Sequence, residues 1–385
     1  MPGAVSAVGR PLRVAVAGGG LAGLCTAAAL AADGAEVVVH ERARRLEEVG
    51  AGIQLSPNAT RHLRALGLGR HLRADRVGLP HGREVRRWDD GTVVQRTALG
   101  AACAGAYGAP YLTLLRPDLQ AALLALAGPR LVRTGSRVAR VEESADGVGL
   151  VLEDGSLHEA DVVVGADGIG SAVRAGLYAD APRPSGQLAH RGVVPVGALG
   201  PGPWAERAVV WLAHDRHLVH YPVDGGRRVA WVATVPEGDG LDGYAAWDPR
   251  VRALLAAGRR EAAAVAARPL QDRRPRRRWS TARCTLAGDA AHAMLPFLAQ
   301  GANQAVEDAA ALAACLRDAG PGGTATALAA YERRRAGRAA RVVRASRAAA
   351  RLPDPPPPPA ARDDDGTAAL AGMAWLYGHD AAAAR

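Results

Sequence analysis

The chain of 385 residues is 49% hydrophobic and 22% charged, which matches folded globular domains and argues against a disordered, fibrous or membrane-embedded protein. Its 48 basic and 38 acidic residues leave a formal charge of +10, ordinarily a reason to suspect a nucleic-acid or membrane partner. Every basic residue is arginine, alanine and glycine abound, and phenylalanine occurs once, so the charge reads as a drift of composition and implies no specific nucleic acid. The knot of Arg273, Arg274, Arg276, Arg277 and Arg278 lacks the interleaved aromatic residues on which a single strand stacks. Cys25, Cys103, Cys284 and Cys315 lie far apart with no metal-binding spacing, as in a reduced, cytoplasmic chain. No apolar run reaches the roughly 18 residues of a membrane span, and the apolar N-terminal stretch is broken by Gly18 to Gly20.

In chain order, Leu12 to Ala17 reads as a buried strand, Gly18 to Gly20 as a tight turn, Leu21 to Ala32 as a helix and Glu36 to His40 as a second strand. That order opens a dinucleotide-binding α/β fold. From about Gln187 to Thr234 the pattern changes to short β-favouring runs, Gly192 to Val196, Ala208 to Leu212, His217 to Val223 and Arg228 to Val235, which predict a mostly antiparallel sheet. Cys284 to Ala287 returns as a strand, followed by helices over Gln304 to Ala319 and Thr324 to about Leu352. The fold class is thus α/β: a Rossmann-like domain (10–75, 108–180 and 280–352) interleaved with an antiparallel substrate domain (76–107 and 181–279), plus C-terminal helices. Pro353 to Pro359 and Asp363 to Asp365 make 353–367 a linker, and Met373, Trp375, Leu376 and Tyr377 make 368–385 a segment that docks back on the body.

Three motifs carry chemistry. Gly18-Gly19-Gly20-Leu21-Ala22-Gly23 stands between a strand and a helix, with Glu41 and Arg42 after the next strand. Such glycines let the backbone approach a pyrophosphate at the positive end of a helix, and the carboxylate accepts bonds from a ribose. Val162 to Val164 runs into Gly165-Ala166-Asp167-Gly168, and Leu286-Ala287-Gly288-Asp289 leads to Pro296, Phe297 and Gln300-Gly301-Ala302-Asn303. In each a buried strand delivers an aspartate, and in the third a glycine-bearing loop opens a helix whose free N–H groups suit an anionic ring edge.

With these motifs the chain resembles the single-component flavoprotein aromatic hydroxylases of the para-hydroxybenzoate hydroxylase type from about Leu12 to Arg347. Gly50 to Gly69, Leu114 to Leu123, Gly288 to Leu312 and Trp375 to Ala381 look most like the branch of salicylate hydroxylase, 3-hydroxybenzoate 6-hydroxylase and 6-hydroxynicotinate 3-monooxygenase. The sole phenylalanine, Phe297, and the only asparagines, Asn58 and Asn303, fall inside these stretches. The resemblance implies bound FAD, transient NADH or NADPH, O2 carried on the reduced flavin as a C4a-hydroperoxide, and a small aromatic substrate hydroxylated with or without loss of CO2. It implies that Gly18, Gly20, Leu21, Ala22, Gly23, Glu41 and Arg42 hold the adenosine and pyrophosphate, Arg116 and Asp289 the pyrophosphate and ribityl region, and Gly301, Ala302 and Asn303 the pyrimidine edge. Asp167 belongs to a motif that in the family touches FAD, and Pro296 and Gln300 fall where flavin and substrate meet. Gly170, Leu115 and Ala293 depart from residues common in the family, and no motif aspartate or glycine is lost.

The branch uses a histidine of the substrate sheet as the base for a phenol. His217 is the candidate: alternation sets it with Val219 and Tyr221 on one face and His220 on the other. Arg191 is a candidate for a substrate carboxylate, while His292 reads as a packed histidine supporting the flavin loop. The chain is expected to act as a monomer or homodimer. A flavin halogenase would need a catalytic lysine, which is lacking; a hydroxylase or epoxidase of a larger, even carrier-tethered, metabolite and a simple flavin reductase stay open.

Overall fold

The computed structural model describes residues 10–46, 52–144, 147–261, 265–350 and 365–383. Residues 353–364 of the expected linker and the first two residues of the Gly50 to Gly69 stretch lie outside the described residues.

Five parallel strands form the nucleotide sheet in the order Cys284–Leu286, Val162–Gly165, Arg13–Ala17, Glu36–His40 and Val132–Arg133. Apart from Arg13, every residue of the first three is buried, as helix-covered parallel strands require. Because all five point the same way, their carboxyl ends bring Gly18, Glu41, Asp167 and Asp289 to one edge. The chain leaves Arg13–Ala17 towards one neighbour and returns later on its other side, so the glycine loop stands where the strand order reverses, the place where such sheets bind ligands. Helix Leu21–Ala32 is built almost wholly of small and apolar residues and is buried along most of its length against helix Gly301–Leu316.

A seven-stranded sheet runs in the order Val265–Asp272, Arg183–Pro195, Arg228–Pro236, His217–Val223, Arg207–Leu212, Gly82–Arg87 and Val93–Ala98, and is antiparallel except where Arg207–Leu212 meets Gly82–Arg87. The expected strand from Gly192 is longer than its apolar run: it starts at Arg183, because strands on both sides pair with its polar half. One face of the sheet carries Trp211, Leu218, Trp231 and Val209 and is covered by helix Pro249–Arg260. The other faces the nucleotide domain. Among the described residues no helix is long and apolar enough to cross a membrane.

The C-terminal helices run over Gly301–Leu316 and Thr324–Ala349. The last segment, with short helices Thr367–Ala371 and Ala374–Tyr377, packs Leu370, Leu376 and Tyr377 against Leu99, Cys103, Tyr111 and Val342.

Candidate active site

Between the two sheets lies a cavity of about 730 Å³. Its nucleotide end begins at the glycine loop. Gly18 has φ +103°, and a Cβ there would stand 2.5 Å from the Ala166 carbonyl oxygen, so only glycine lets the two motif loops touch. A Cβ on Gly23 would overlap the Gly18 carbonyl oxygen, whereas one on Gly20 would meet nothing within 4 Å and project into open space. Gly23 therefore lies behind the loop, and Gly20, Leu21 and Ala22 line the cavity. No side chain caps the start of helix Leu21–Ala32, which leaves its N–H groups free for an anion.

Glu41 lines the cavity next to Arg42 and accepts hydrogen bonds from Gly19 N (2.7 Å) and Ala43 N (2.7 Å), which leaves lone pairs free for a further donor. His40, Ser136, Arg137 and Val138 share this end. The sequence patterns gave no sign of them, because they arrive from separate strand ends. Asp167 accepts from Ala172 N (2.7 Å) through one oxygen, and its other oxygen is buried without a partner at the cavity wall. Burial raises its pKa. Asp289 opens into the cavity beside Arg116, and loss of hydration raises its pKa against the pull of His292 and Arg116. A cradle without side chains, an uncapped helix start and an orphan carboxylate oxygen fit FAD.

Two expected contacts differ in detail. Asn303 is fully buried and turned from the cavity: its oxygen accepts from Ser56 N (2.8 Å) and its nitrogen donates to the carbonyls of Gln54 (3.1 Å) and Ala299 (2.6 Å). The Gln300 side chain likewise donates to Ser56 Oγ (2.9 Å) and accepts from Asn58 (3.1 Å). Both latch the loop to strand Gly52–Leu55 and its neighbour helix, while Gly301 and Ala302 line the cavity.

Behind the loop is a buried ion network: His292 is the packed, hydrogen-bonded histidine that the sequence suggested, whereas Arg335 and Arg338 gave no sign in the sequence. Arg335 bonds Glu307 (2.5 Å) and Asp308 (2.7 Å), Arg338 bonds Glu307 (2.9 Å), and Asp308 also holds His292 (2.6 Å) and the Gly288 N–H (2.8 Å). Burial favours a protonated Glu307, but Arg335 and Arg338 bring its pKa down to about 2. Arg338 further donates to the carbonyls of Trp375 (2.6 Å) and Leu376 (3.0 Å), tying the C-terminal segment to the flavin loop. The arginine knot is also partly structural, since Arg273 bonds the Ile169 carbonyl (2.6 Å) and Asp180 (2.8 Å).

At the substrate end the period of the strands sets the floor. His217, Val219 and Tyr221 line the cavity with Val232, Thr234 and Arg191 from the strands on one side and Val210 and Leu212 from the strand on the other. His220 points the opposite way, its ring 4.7 Å from that of Trp204. His217 is 6% exposed, its ring stands 4.9 Å from that of Phe297, and neither ring nitrogen has a partner. Burial pushes its pKa down to about 4, so it is neutral at pH 7. Burial raises the pKa of Tyr221, which stays a hydrogen-bond donor. Pro296 and Gln300 line the roof.

A nucleotide sheet with three motif loops at one edge, facing a separate sheet across a cavity, defines a flavoprotein oxidoreductase with its own substrate chamber. The family model described as FAD binding domain matches residues 11–346, and the chain belongs to that family. It is 42% identical over 387 residues to the 3-amino-4-hydroxybenzoate 2-monooxygenase of Streptomyces cremeus, covering 97% of each chain. It is 38% identical over 355 residues to the 6-hydroxynicotinate 3-monooxygenase of Bordetella bronchiseptica, covering 88% of this chain and 91% of that one. A salicylate hydroxylase solved with its substrate superposes with a TM-score of 0.78 at 27% identity over 96% of both chains. The protein is an FAD-dependent aromatic monooxygenase that draws on NAD(P)H and O2.

Proposed function

We propose that the enzyme hydroxylates a small aromatic acid bearing a phenol, of the hydroxybenzoate, aminohydroxybenzoate or hydroxypyridine kind on which its relatives are named, with His217 as the base for the phenol. The observation that carries the reading is the neutral, unpartnered imidazole of His217 on the floor of the chamber, with Tyr221 and Arg191 beside it. FAD, when bound, supplies the oxygen-transfer chemistry. The chain does the rest. Taking the phenol proton makes an imidazolium beside a phenolate, and their attraction in a water-poor cavity offsets the burial that kept the ring neutral. The phenolate makes the ring carbons ortho and para to it electron-rich. Tyr221 donates a hydrogen bond, Arg191 supplies positive potential with no acidic partner among the described residues, and Pro296 with Phe297 closes the roof against water.

Gly18, Gly20, Leu21, Ala22, Glu41, Arg42, Arg116, Asp167, Asp289, Gly301 and Ala302 hold the cofactor in this reading, with Gly23 and Asn303 shaping the loops behind it. The enzyme works in the cytoplasm as a monomer or homodimer. Its four unpaired cysteines suit a reducing compartment. The test is NADH and NADPH oxidation in air by the purified protein against salicylate, hydroxybenzoates, 3-amino-4-hydroxybenzoate, anthranilate and 6-hydroxynicotinate, with product masses recorded. A gain of one oxygen from one small acid supports the proposal; peroxide release with every small acid transfers it to a larger metabolite.

A further inference from the structure

The substrate end of the cavity holds a second cation that neither motif nor resemblance marks. Arg83 stands on strand Gly82–Arg87, where alternation sends Glu84 and Arg86 to the far face and Arg83 to the cavity. Glu84 and Arg86 pair with each other there (2.5 Å). Arg83 has no acidic partner among the described residues: its one hydrogen bond is a long contact of 3.4 Å to Thr97 Oγ1, and its Nε is buried with no partner at all. Beside it, Tyr111 donates to Gln54 (2.8 Å), and both side chains line the same cavity. A half-buried guanidinium that faces a cavity with no counter-charge is a ready partner for an anion.

The sheet register measures how far that anion lies from the base. Arg83 sits beside Ala208, and Ala208 lies opposite Tyr221, next to the Val209–His220 pair. Four residues along the strand and two strand spacings therefore separate His217 from Arg83, about 16 Å between Cα atoms. Arg191 is two spacings and two residues from His217, about 12 Å. Side chains stand roughly perpendicular to a sheet, so His217 and Arg83 rise at the two ends of the longer span and, leaning only slightly towards each other, leave between them the length of one benzene ring with its substituents para and a hydrogen bond at each end. The shorter span brings Arg191 next to the atom that His217 serves.

We propose that Arg83 is the carboxylate anchor of the chamber and a specificity-determining residue, so that the preferred substrate carries its phenol para to its carboxylate while Arg191 faces the phenolate end. The inference rests on the aromatic-acid reading above. Its test follows the flavin absorbance of the FAD-loaded enzyme during titration with 4-hydroxybenzoate, 4-hydroxybenzamide and salicylate. The unaltered enzyme binds the para acid at least tenfold more tightly than its amide. Arg83→Gln weakens 4-hydroxybenzoate ten- to hundredfold and leaves the amide and salicylate unchanged, Arg83→Lys recovers part of the loss, and Arg191→Gln keeps the preference for acid over amide. Equal affinity of the unaltered enzyme for acid and amide overturns the assignment without any variant, as does a preference for the acid that survives Arg83→Gln or disappears in Arg191→Gln. If no hydroxylated aromatic acid perturbs the flavin or speeds NAD(P)H oxidation, the underlying reading falls together with the anchor.

Discussion

Replacing His217 with glutamine keeps a side chain of similar reach against Phe297 and removes the group that takes a proton. General-base catalysis by a placed histidine is worth on the order of 10² to 10⁴ in rate, and that is the expected loss in turnover at pH 7. The structure adds a pH signature. In the free enzyme His217 titrates near 4, below the usual 6.5, so the acid limb of kcat/KM falls near pH 4 and the enzyme keeps its base unprotonated through pH 5 and 6. In the glutamine variant the phenol must ionise unaided, and turnover climbs about tenfold per pH unit up to the phenol's own pKa. Stopped-flow reduction and turnover measured from pH 4 to pH 9 separate the cases. A variant that turns over at the unaltered rate at pH 7, or one whose deficit is the same at every pH, would refute the assignment.

The same depressed pKa has a thermodynamic side: above about pH 6.5 neither folded nor unfolded chain protonates the ring, and between pH 6.5 and 4 only the unfolded chain does, costing up to about 3 kcal/mol of stability. His217→Gln should thus be less acid-sensitive than the parent in melting temperature at pH 5, which scanning calorimetry reads. Gly20→Val, whose side chain meets only the open cradle, should fold normally yet purify colourless, whereas Gly23→Val, which overlaps the Gly18 carbonyl, should melt earlier even as apoprotein; flavin absorbance and apoprotein melts distinguish them. Arg335→Met leaves Glu307 and Asp308 buried without their common counter-charge and should cost about 3 to 5 kcal/mol in denaturant unfolding. Removing residues 366–385 strips Arg338 of two carbonyl partners and uncovers Val342 and Tyr111, so flavin should dissociate faster from the shortened chain under dialysis.

Most of the frame was legible because it rests on local rules. A buried valine run followed at once by glycine leaves few alternatives to a strand and a tight turn, and strand alternation alone put His217 and His220 on opposite faces. What the sequence did not disclose depends on register between distant strands. Nothing local says that Gly82–Arg87 runs parallel to Arg207–Leu212, and it is that one pairing that carries Arg83 to the cavity. Nor does composition reveal which of many arginines is unpaired.

Asn303 and Gln300 show the same limit from the other side. The rarity of asparagine and the place of both residues in the chain pointed to a role at the site, and their amides are consumed in fastening the loop to Ser56 and Asn58. A loop that offers backbone N–H groups to a flavin needs those groups held still, since an amide that moves gives up the orientation that makes it useful. In this chain the stiffness comes from buried amides in front and from Arg335, Glu307 and Asp308 behind, with Arg338 extending the brace to the C-terminal segment. Side chains that look like ligands when read along the sequence are thus spent one layer removed from the cavity, in fixing the backbone that lines it.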